Sequence, residues 1–472
     1  MKDAAIASDD AGRRALADKV LGLVNEGPCG DPAAFDDLAL EVFAYQYESN
    51  RSYREFCDAS ETTPAGVGSW RDIPAYPTDA FKHEIVASFP VGEAVMAQLT
   101  SGTTSANQRG RIFRDEVGRE LVFAANRAMT AAYLFPDLAE GTRCRILILA
   151  PSPELAPSMG MAIGMEQTRR AFGTKDSAFV VGRGGVDVKV LVDALRQAEA
   201  TGVPVALIGA TSAFVYFLKA AERKGLRFSL PEGSRLCDGG GYRGRFGEVT
   251  RDDYHRLAEA LLGVPAPMCV NTLGLAESAT NYFDDSLRNH VLGLGGAPRR
   301  KLSPPWARTQ AVGVETGDVL PPGEVGLLRH YDLVNLPTVI AVQSDNLGVV
   351  DERGGFEIVG RAKVVDGKVS PVPSELPVGP MGDRRVFRLL EAYVNFSIDF
   401  KMGRVKSSDE KADYLELRRE QDEALGVSEA AGEATPSCPT VVEDLVAGAE
   451  DPRARERAER ALGISERDGE GT

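Results

Sequence analysis

Between Arg143 and Gly225 short apolar runs alternate with helical stretches, and no other feature restricts the fold of this chain as much. RILILA (145–150) and SAFVV (177–181) read as strands, VLVDALRQAEATG (190–202) as a helix, PVALIGA (204–210) as a strand and SAFVYFLKAAERKG (212–225) as a helix. Strands separated by helices build βαβ units and a largely parallel sheet, because parallel neighbours need a long crossover. Upstream, apolar residues at helical spacing (Leu16, Val20, Leu21, Val24, then Leu38, Leu40, Val42, Phe43) predict two helices within residues 11–60. They end at ETTPAGVGSWRDIPAYP, an ordered Pro/Gly-rich loop. Residues 321–360 carry turn-rich short strands (PPGEVGLLRHYDL, TVIAVQ, LGVVDERGGFEIVG), which predict an antiparallel β element beside the first sheet.

The pattern weakens after Leu376, although VFRLLEAYVNFSIDF holds enough apolar residues for one more helix or strand. The expected organisation is a large α/β domain over 1–360 with a helical part at 1–60, a reduced C-terminal lobe over 361–402, and an acidic, mobile tail over 403–472. Residues 409–472 hold 18 acidic and 8 basic side chains, so most of the net charge of −15 sits there and the body is closer to neutral. Acidic residues outnumber basic ones, 69 to 54, which argues against a nucleic-acid footprint. The six cysteines are scattered with no C-x-x-C, unlike a zinc site or a secreted disulfide framework. MKDAAIASDDAGRR has no apolar core for a signal peptide, and no segment approaches a membrane span. The expected compartment is the cytoplasm.

Thr100-Ser101-Gly102-Thr103-Thr104-Ser105 stands between an apolar strand-like piece, VGEAVMAQL, and a basic segment, ANQRGRIFR. Hydroxyls and backbone N–H groups beside positive charge suit a triphosphate, whereas a Ser/Thr-rich run alone suits any turn. The spacing of a P-loop is absent here and elsewhere in the chain.

Four further segments follow in order: CDGGGYRG (237–244), NTLGLAE (271–277), QSDNLGVVDERGGFEIVGR (343–361) and then Lys363. With them, and with IPAYPTDAFKHE (73–84) and PPGEVGLLRHYDLVNLPT (321–338), the chain resembles the adenylate-forming superfamily over residues 70–376. Within it the chain is similar to the acyl-protein synthetases, whose founding members activate fatty acids for bacterial luminescence. The resemblance implies an α/β large domain with stacked mixed sheets and flanking helices, and ATP and Mg²⁺ as cofactors. It also implies a reaction in which a carboxylate attacks the α-phosphate, pyrophosphate leaves and an acyl adenylate remains. Such chemistry asks the protein for positioning and charge neutralisation and for no obligatory His. The four histidines, His83 of AFKHE included, are accordingly assigned no chemistry.

On this resemblance Thr100, Ser101, Thr103, Thr104, Glu277 and Arg361 are the catalytic candidates. Gly102, Ser105, Gly239, Gly240, Gly241, Asn271, Thr272, Gly274, Asp345 and Lys363 are the cofactor-binding ones. The three glycines have no Cβ, so a flat ring could lie against their backbone, adenine by the resemblance; a tight turn between strands is the plainer reading. Glu277 could hold Mg²⁺ that bridges phosphates, or stand solvated. Asp345 can accept both ribose hydroxyls, or close an Asx-turn. Arg361 supplies a permanent cation toward ribose or the α-phosphate, or lies on the surface.

Three departures from the family pattern bear on the second half-reaction. Ser370, in GRAKVVDGKVSPVPSEL, falls where these synthetases carry an acyl-accepting thiol, and a neutral hydroxyl without a base is a weak nucleophile. Cys438, in TPSCP, is the other conceivable acceptor. No convincing late lysine in a G-K context follows Arg361; Lys363 and Lys368 are candidates by proximity. Leu273 stands where an aromatic usually stacks on adenine. The expected function is therefore an acyl-adenylating ligase that hands its acyl group to an acceptor in trans: a carrier-protein thiol, CoA or an amine. The alternatives are a self-acylating acyl-protein synthetase that feeds a fatty-acid reductase, and a non-catalytic nucleotide- or partner-binding descendant. LAPSMGMAIGMEQ and IGATSAFVYF hold small and flexible apolar residues that could line an acyl pocket or simply fill the core.

Overall fold

The computed structural model describes residues 10–100, 110–182, 185–240, 250–295, 298–314, 316–365 and 368–373, with side chains through residue 362. In chain order the helices are α1 (Asp10–Glu26), α2 (Phe35–Ser49), α3 (Arg51–Ala59), α4 (Glu116–Tyr133), α5 (Gly160–Phe172), α6 (Val188–Thr201), α7 (Thr211–Arg223), α8 (Arg251–Leu262) and α9 (Ser286–Val291). The strands are β1 (Tyr76–Pro77), β2 (Met96–Leu99), β3 (Arg111–Arg114), β4 (Arg145–Pro151), β5 (Ala178–Gly182), β6 (Gly185–Val186), β7 (Val205–Ala210), β8 (Arg235–Gly239), β9 (Cys269–Leu273), β10 (Tyr282–Phe283), β11 (Ala307–Val312), β12 (Val325–Asp332), β13 (Ala341–Val350), β14 (Phe356–Val365) and β15 (Lys368–Pro373).

The alternating region folds as expected. β5, β4, β7, β8 and β9 run parallel in a seven-stranded sheet of order β10-β9-β8-β7-β4-β5-β6, with short antiparallel edges. β4 and β7 read as unbroken apolar runs because helices cover both faces, and Ile146, Leu147, Ile148, Leu149 and Leu207 are buried. The crossover helices begin and end where the chemistry permits. Asp187 caps α6 by accepting the Val190 amide at 3.0 Å, and Gly202 ends it at φ +67°.

The second sheet is antiparallel over β11-β12-β13-β14-β15, with β1 added parallel to β13 through Tyr76 opposite Val342. The AVQ of TVIAVQ and LGVV, separate in the sequence pattern, belong to the single strand β13. β14 is continuous across residue 360, and β15 pairs to it with Ser370 opposite Lys363.

Residues 11–60 form three helices rather than two. Asn50 adopts extended backbone, breaks the run and caps α3 by accepting the Tyr53 amide at 3.2 Å. The α2–α3 pair is bolted to the turn before β13. Gln46 Nε2 donates to the carbonyls of Asn335 (3.0 Å) and Leu336 (3.1 Å), its Oε1 accepts the Ile340 amide (2.7 Å), and Asn50 Nδ2 donates to Thr338 O (2.9 Å). Four helices, α4, α5, α8 and α9, lie where the sequence pattern above assigns none. α4 starts on Asp115, which accepts the Gly118 amide at 3.0 Å and is itself paired with buried Arg13.

Candidate active site

The sheet grows to one side of β4 with β5 and then to the other with β7, so the strand order reverses there. Open parallel sheets bind ligands in the crevice beyond the carboxyl ends of strands at such a reversal. β8 and β9 bring CDG and NTL to that edge in register, with Asp238 opposite Asn271 and Gly239 opposite Thr272. Asp238 is buried and accepts Thr211 Oγ1 at 2.6 Å and Asn271 Nδ2 at 2.9 Å. Burial pushes its carboxyl up to about 6, against the pull of those two hydrogen bonds. The same Asn271 amide donates to Gly240 O at 3.0 Å, and Gly240 sits at φ +112°, a conformation that side chains rarely adopt. A Cβ on Gly239 would come within 3.1 Å of Met161 Cε and 3.2 Å of Thr272 Oγ1. The strand end therefore leaves no room for a side chain at Gly239, and Asn271 holds the Gly240 backbone beside it.

The loop from β9 to β10 carries Glu277 and is gripped from behind at three points. Arg114 Nη2 donates to Ala276 O (3.3 Å), and Asn335 Nδ2 donates to Glu277 O (2.8 Å). Asp332 accepts Ser278 Oγ (3.1 Å), Thr280 N (2.7 Å) and Thr280 Oγ1 (3.1 Å). Trp306 Nε1 adds a bond to Thr280 Oγ1 at 3.0 Å. The Glu277 carboxyl is held up to about 7, first by burial and then by the charge of Asp345, while Arg361 and Lys82 pull it down. These interactions place residues from four separated segments around one carboxylate.

Arg361 on β14 stands opposite Asn346 of β13, and its Nη1 donates to Oδ2 of the neighbouring Asp345 at 3.4 Å. Both side chains remain partly exposed. Thr100 closes the base of the β2–β3 ribbon: its amide donates to Gly110 O and its Oγ1 accepts the Gly110 amide, both at 2.9 Å. Gly110 must be glycine, since a Cβ there would meet Thr100 Cγ2 at 2.7 Å and the Phe81 carbonyl carbon at 3.2 Å. Lys82, next to Phe81, is nearly buried and paired with Asp79.

Of the residues singled out in the sequence, Gly239, Gly240, Asn271 and Thr272 come together at one strand edge, and Glu277, Asp345 and Arg361 share one electrostatic neighbourhood. Gly274 is exposed, and a Cβ there would meet Asn281 Oδ1 at 2.5 Å. Lys363 and Ser370 stand opposite each other in the β14–β15 hairpin. Ser101, Gly102, Thr103, Thr104, Ser105, Gly241, Cys438 and the segments from 374 onward lie outside the described residues. The sequence pattern did not single out Arg114, Asp332, Asn335 or Lys82. Arg114 left one signal: in RIFR it shares a strand face with Ile112, so a charge falls where the alternation asks for an apolar side chain.

Comparison with known proteins follows this geometry. The family model described as acyl-protein synthetase, LuxE, matches residues 31–370. The chain belongs to the acyl-protein synthetase family. It is an acid-activating ligase that uses ATP to form an acyl adenylate and then transfers the acyl group. The long-chain-fatty-acid–luciferin-component ligase of Vibrio harveyi is 24% identical over 340 residues, which cover 69% of this chain and 83% of the relative. The ligase of the same name from Aliivibrio fischeri is 23% identical over 321 residues, covering 67% and 79%. Among solved structures, 2-hydroxyisobutyryl-CoA ligase in its postadenylation state aligns with a TM-score of 0.52 at 16% identity, over 74% of this chain and 73% of that one. That likeness fixes the stacked-sheet adenylate-forming fold. Among the described residues no helix is long and apolar enough to cross a membrane.

Proposed function

We propose that the chain activates a long-chain or otherwise apolar carboxylic acid and passes the acyl group to an acceptor in trans, a carrier-protein thiol, CoA or an amine. The observation that carries the second half is the residue at the family's acceptor position. Among the described thiols, Cys57, Cys144, Cys237 and Cys269 are raised above the usual range, chiefly by burial, which disfavours their thiolates, and Cys29 is exposed after α1. At the position where the family resemblance expects a thiol the chain has Ser370. An apolar acid is supported by the names of the two relatives and by α5, where the methyl of Met161 lies against Gly239 beside Ala156, Met159 and Val181.

In this reading the backbone of Gly239 and Gly240 receives adenine and Asp345 the ribose hydroxyls. Arg361 and the hydroxyls of the Thr100–Ser105 run serve the phosphates. Among the described residues no cluster of three or more His, Cys, Asp or Glu could hold a metal unaided. Glu277 alone fits magnesium, which takes one or two carboxylates and completes its shell with phosphate and water. Bound there, the ion would neutralise phosphate charge. The substrate carboxylate forms a bond to the α-phosphorus as the bond to pyrophosphate breaks, and the protein contributes alignment and charge.

The test pairs pyrophosphate release with intact mass after incubation with ATP, Mg²⁺ and a panel of acids. Release that rises with acyl chain length, with no stable acyl increment on the protein, is the expected result. A stable increment on the chain itself would replace the acceptor in trans with self-acylation. No acid-dependent release would leave a nucleotide- or partner-binding role.

A further inference from the structure

We infer that Arg114 is a positioning residue for adenylation, the buried tie that fixes the Glu277 loop to the β2–β3 ribbon that ends at Thr100. The inference rests on the reading of Glu277 as a site residue. Arg114 ends β3, where it stands opposite Met96 of β2; β2 leads directly into Thr100, and Thr100 is locked to Gly110 at the other end of the ribbon. Its side chain crosses to a loop 162 residues away and donates Nη2 to Ala276 O, the carbonyl just before Glu277.

The placement is unusual for an arginine. The side chain is fully buried, and its Nε and Nη1 have no hydrogen-bond partner. Buried donors are nearly always satisfied, so an apolar residue of similar length would hold the strand more comfortably. The guanidinium faces the field of two carboxylates, Asp332 and Glu277, and remains a cation although burial lowers it to about 10. Asp332 is already engaged by Ser278, by Thr280 twice and by the Val334 amide. Arg114 is a buried cation behind the Glu277 loop, and among the described residues its Nε and Nη1 have no hydrogen-bond acceptor.

The bracket has a division of labour. Asp332 holds the residues after Glu277, Asn335 holds Glu277 itself, and Arg114 holds the residue before it. The Arg114 bond runs to the β2–β3 ribbon. Its consequence is a fixed spacing between Glu277 and Thr100 at the end of that ribbon.

The experiment uses the full chain with Arg114→Met, Arg114→Lys, Glu277→Gln and the Arg114→Met/Glu277→Gln pair. Acid-dependent ATP–pyrophosphate exchange gives kcat and KM for ATP, and amide hydrogen exchange is read on residues 273–281 without ligand. Arg114→Met is expected to lower kcat at least 10-fold with a smaller change in KM, to add little to Glu277→Gln, and to speed exchange at Ala276–Thr280. Arg114→Lys, which keeps the charge and loses the fork, should recover part of kcat and fold even where the methionine variant does not. Unchanged exchange at Ala276–Thr280, or kinetic effects that multiply independently with those of Glu277→Gln, would overturn the positioning role. If Glu277→Gln itself leaves kcat intact, the metal reading of Glu277 fails, and the hydrogen-exchange result still decides whether Arg114 fixes the loop.

Discussion

Asp332 and Thr280 are joined twice: the Thr280 amide donates to Asp332 Oδ2 at 2.7 Å and the Thr280 hydroxyl donates to Oδ1 at 3.1 Å. Asp332 ends a strand of the antiparallel sheet, while Thr280 lies in the loop that leaves the parallel sheet. The pair therefore welds the two sheets where Glu277 emerges. Asp332→Asn preserves shape but turns one acceptor into a donor facing buried donors. The expected loss is about 2–3 kcal/mol of stability, measured by urea unfolding, together with slower ATP–pyrophosphate exchange. Wild-type stability in this variant would show that the loop is held by packing alone.

Glu277→Gln tests the metal reading directly. The amide is isosteric and neutral, so the fold should stand while charge neutralisation at the phosphates is lost. Acid-dependent exchange should fall by roughly 100-fold, the scale of a few kcal/mol of metal-assisted charge stabilisation, and raising Mg²⁺ should recover part of it. Exchange that neither falls nor responds to Mg²⁺ would move the metal ligand elsewhere.

Asp345 accepts Arg361 Nη1 through Oδ2 and stays partly exposed, and in the proposed reading its carboxylate accepts the ribose hydroxyls. Asp345→Ala should raise KM for ATP about 10-fold or more, as loss of hydrogen bonds to a charged group does, with a smaller effect on kcat. The discriminating measurement uses 2′-deoxy-ATP and 3′-deoxy-ATP. Wild type should discriminate against both, and the variant should not. Equal discrimination in the two proteins would exclude a ribose contact.

Much of this architecture was legible because its signals are local. β4, β5, α6, β7 and α7 fall on the runs that alternate in the sequence, and Gly239, Gly240, Asn271 and Thr272 converge because two short motifs end neighbouring strands. α4 had a readable signature as well, with Asp115 as its cap and Leu121, Ala125, Met129 and Tyr133 on one face. In α5, Gly160 and Gly164 dilute the helical signal. Arg114, Asp332 and Asn335 could not be assigned the same way. Their roles arise from contacts across 162, 52 and 58 residues, set by how two sheets stack, and no short-range pattern encodes that.

The buried Asp238 gives stability a pH dependence of known sign. Burial pushes its folded carboxyl up to about 6, above its ordinary value of 3.8, so the folded state binds the proton more tightly than the unfolded one. This residue's contribution therefore falls as pH rises from about 4 to about 6 and stays low above it. Asp238→Asn has no proton to lose. Relative to wild type, the variant should gain about 3 kcal/mol between pH 4 and pH 7, the free energy of a two-unit shift. Parallel stability curves for the two proteins would mean that Asp238 is not desolvated as the geometry requires.

Gly240 offers a way to separate backbone shape from general stability. Its φ of +112° lies outside the range that an alanine adopts without strain, and its carbonyl is held by Asn271 at the edge of the proposed adenine surface. Gly240→Ala should cost about 1–3 kcal/mol, because either the residue is strained or the turn rotates away from Asn271. Gly202 is the control. It also has positive φ, at +67°, but it caps α6 in open space, away from the strand edge. Gly202→Ala should lose about 1 kcal/mol of stability and keep its KM for ATP. Gly240→Ala should raise KM for ATP by much more than its stability loss explains when both variants are assayed well below their unfolding temperatures. If the two variants shift KM alike, the glycine edge serves folding and not nucleotide binding.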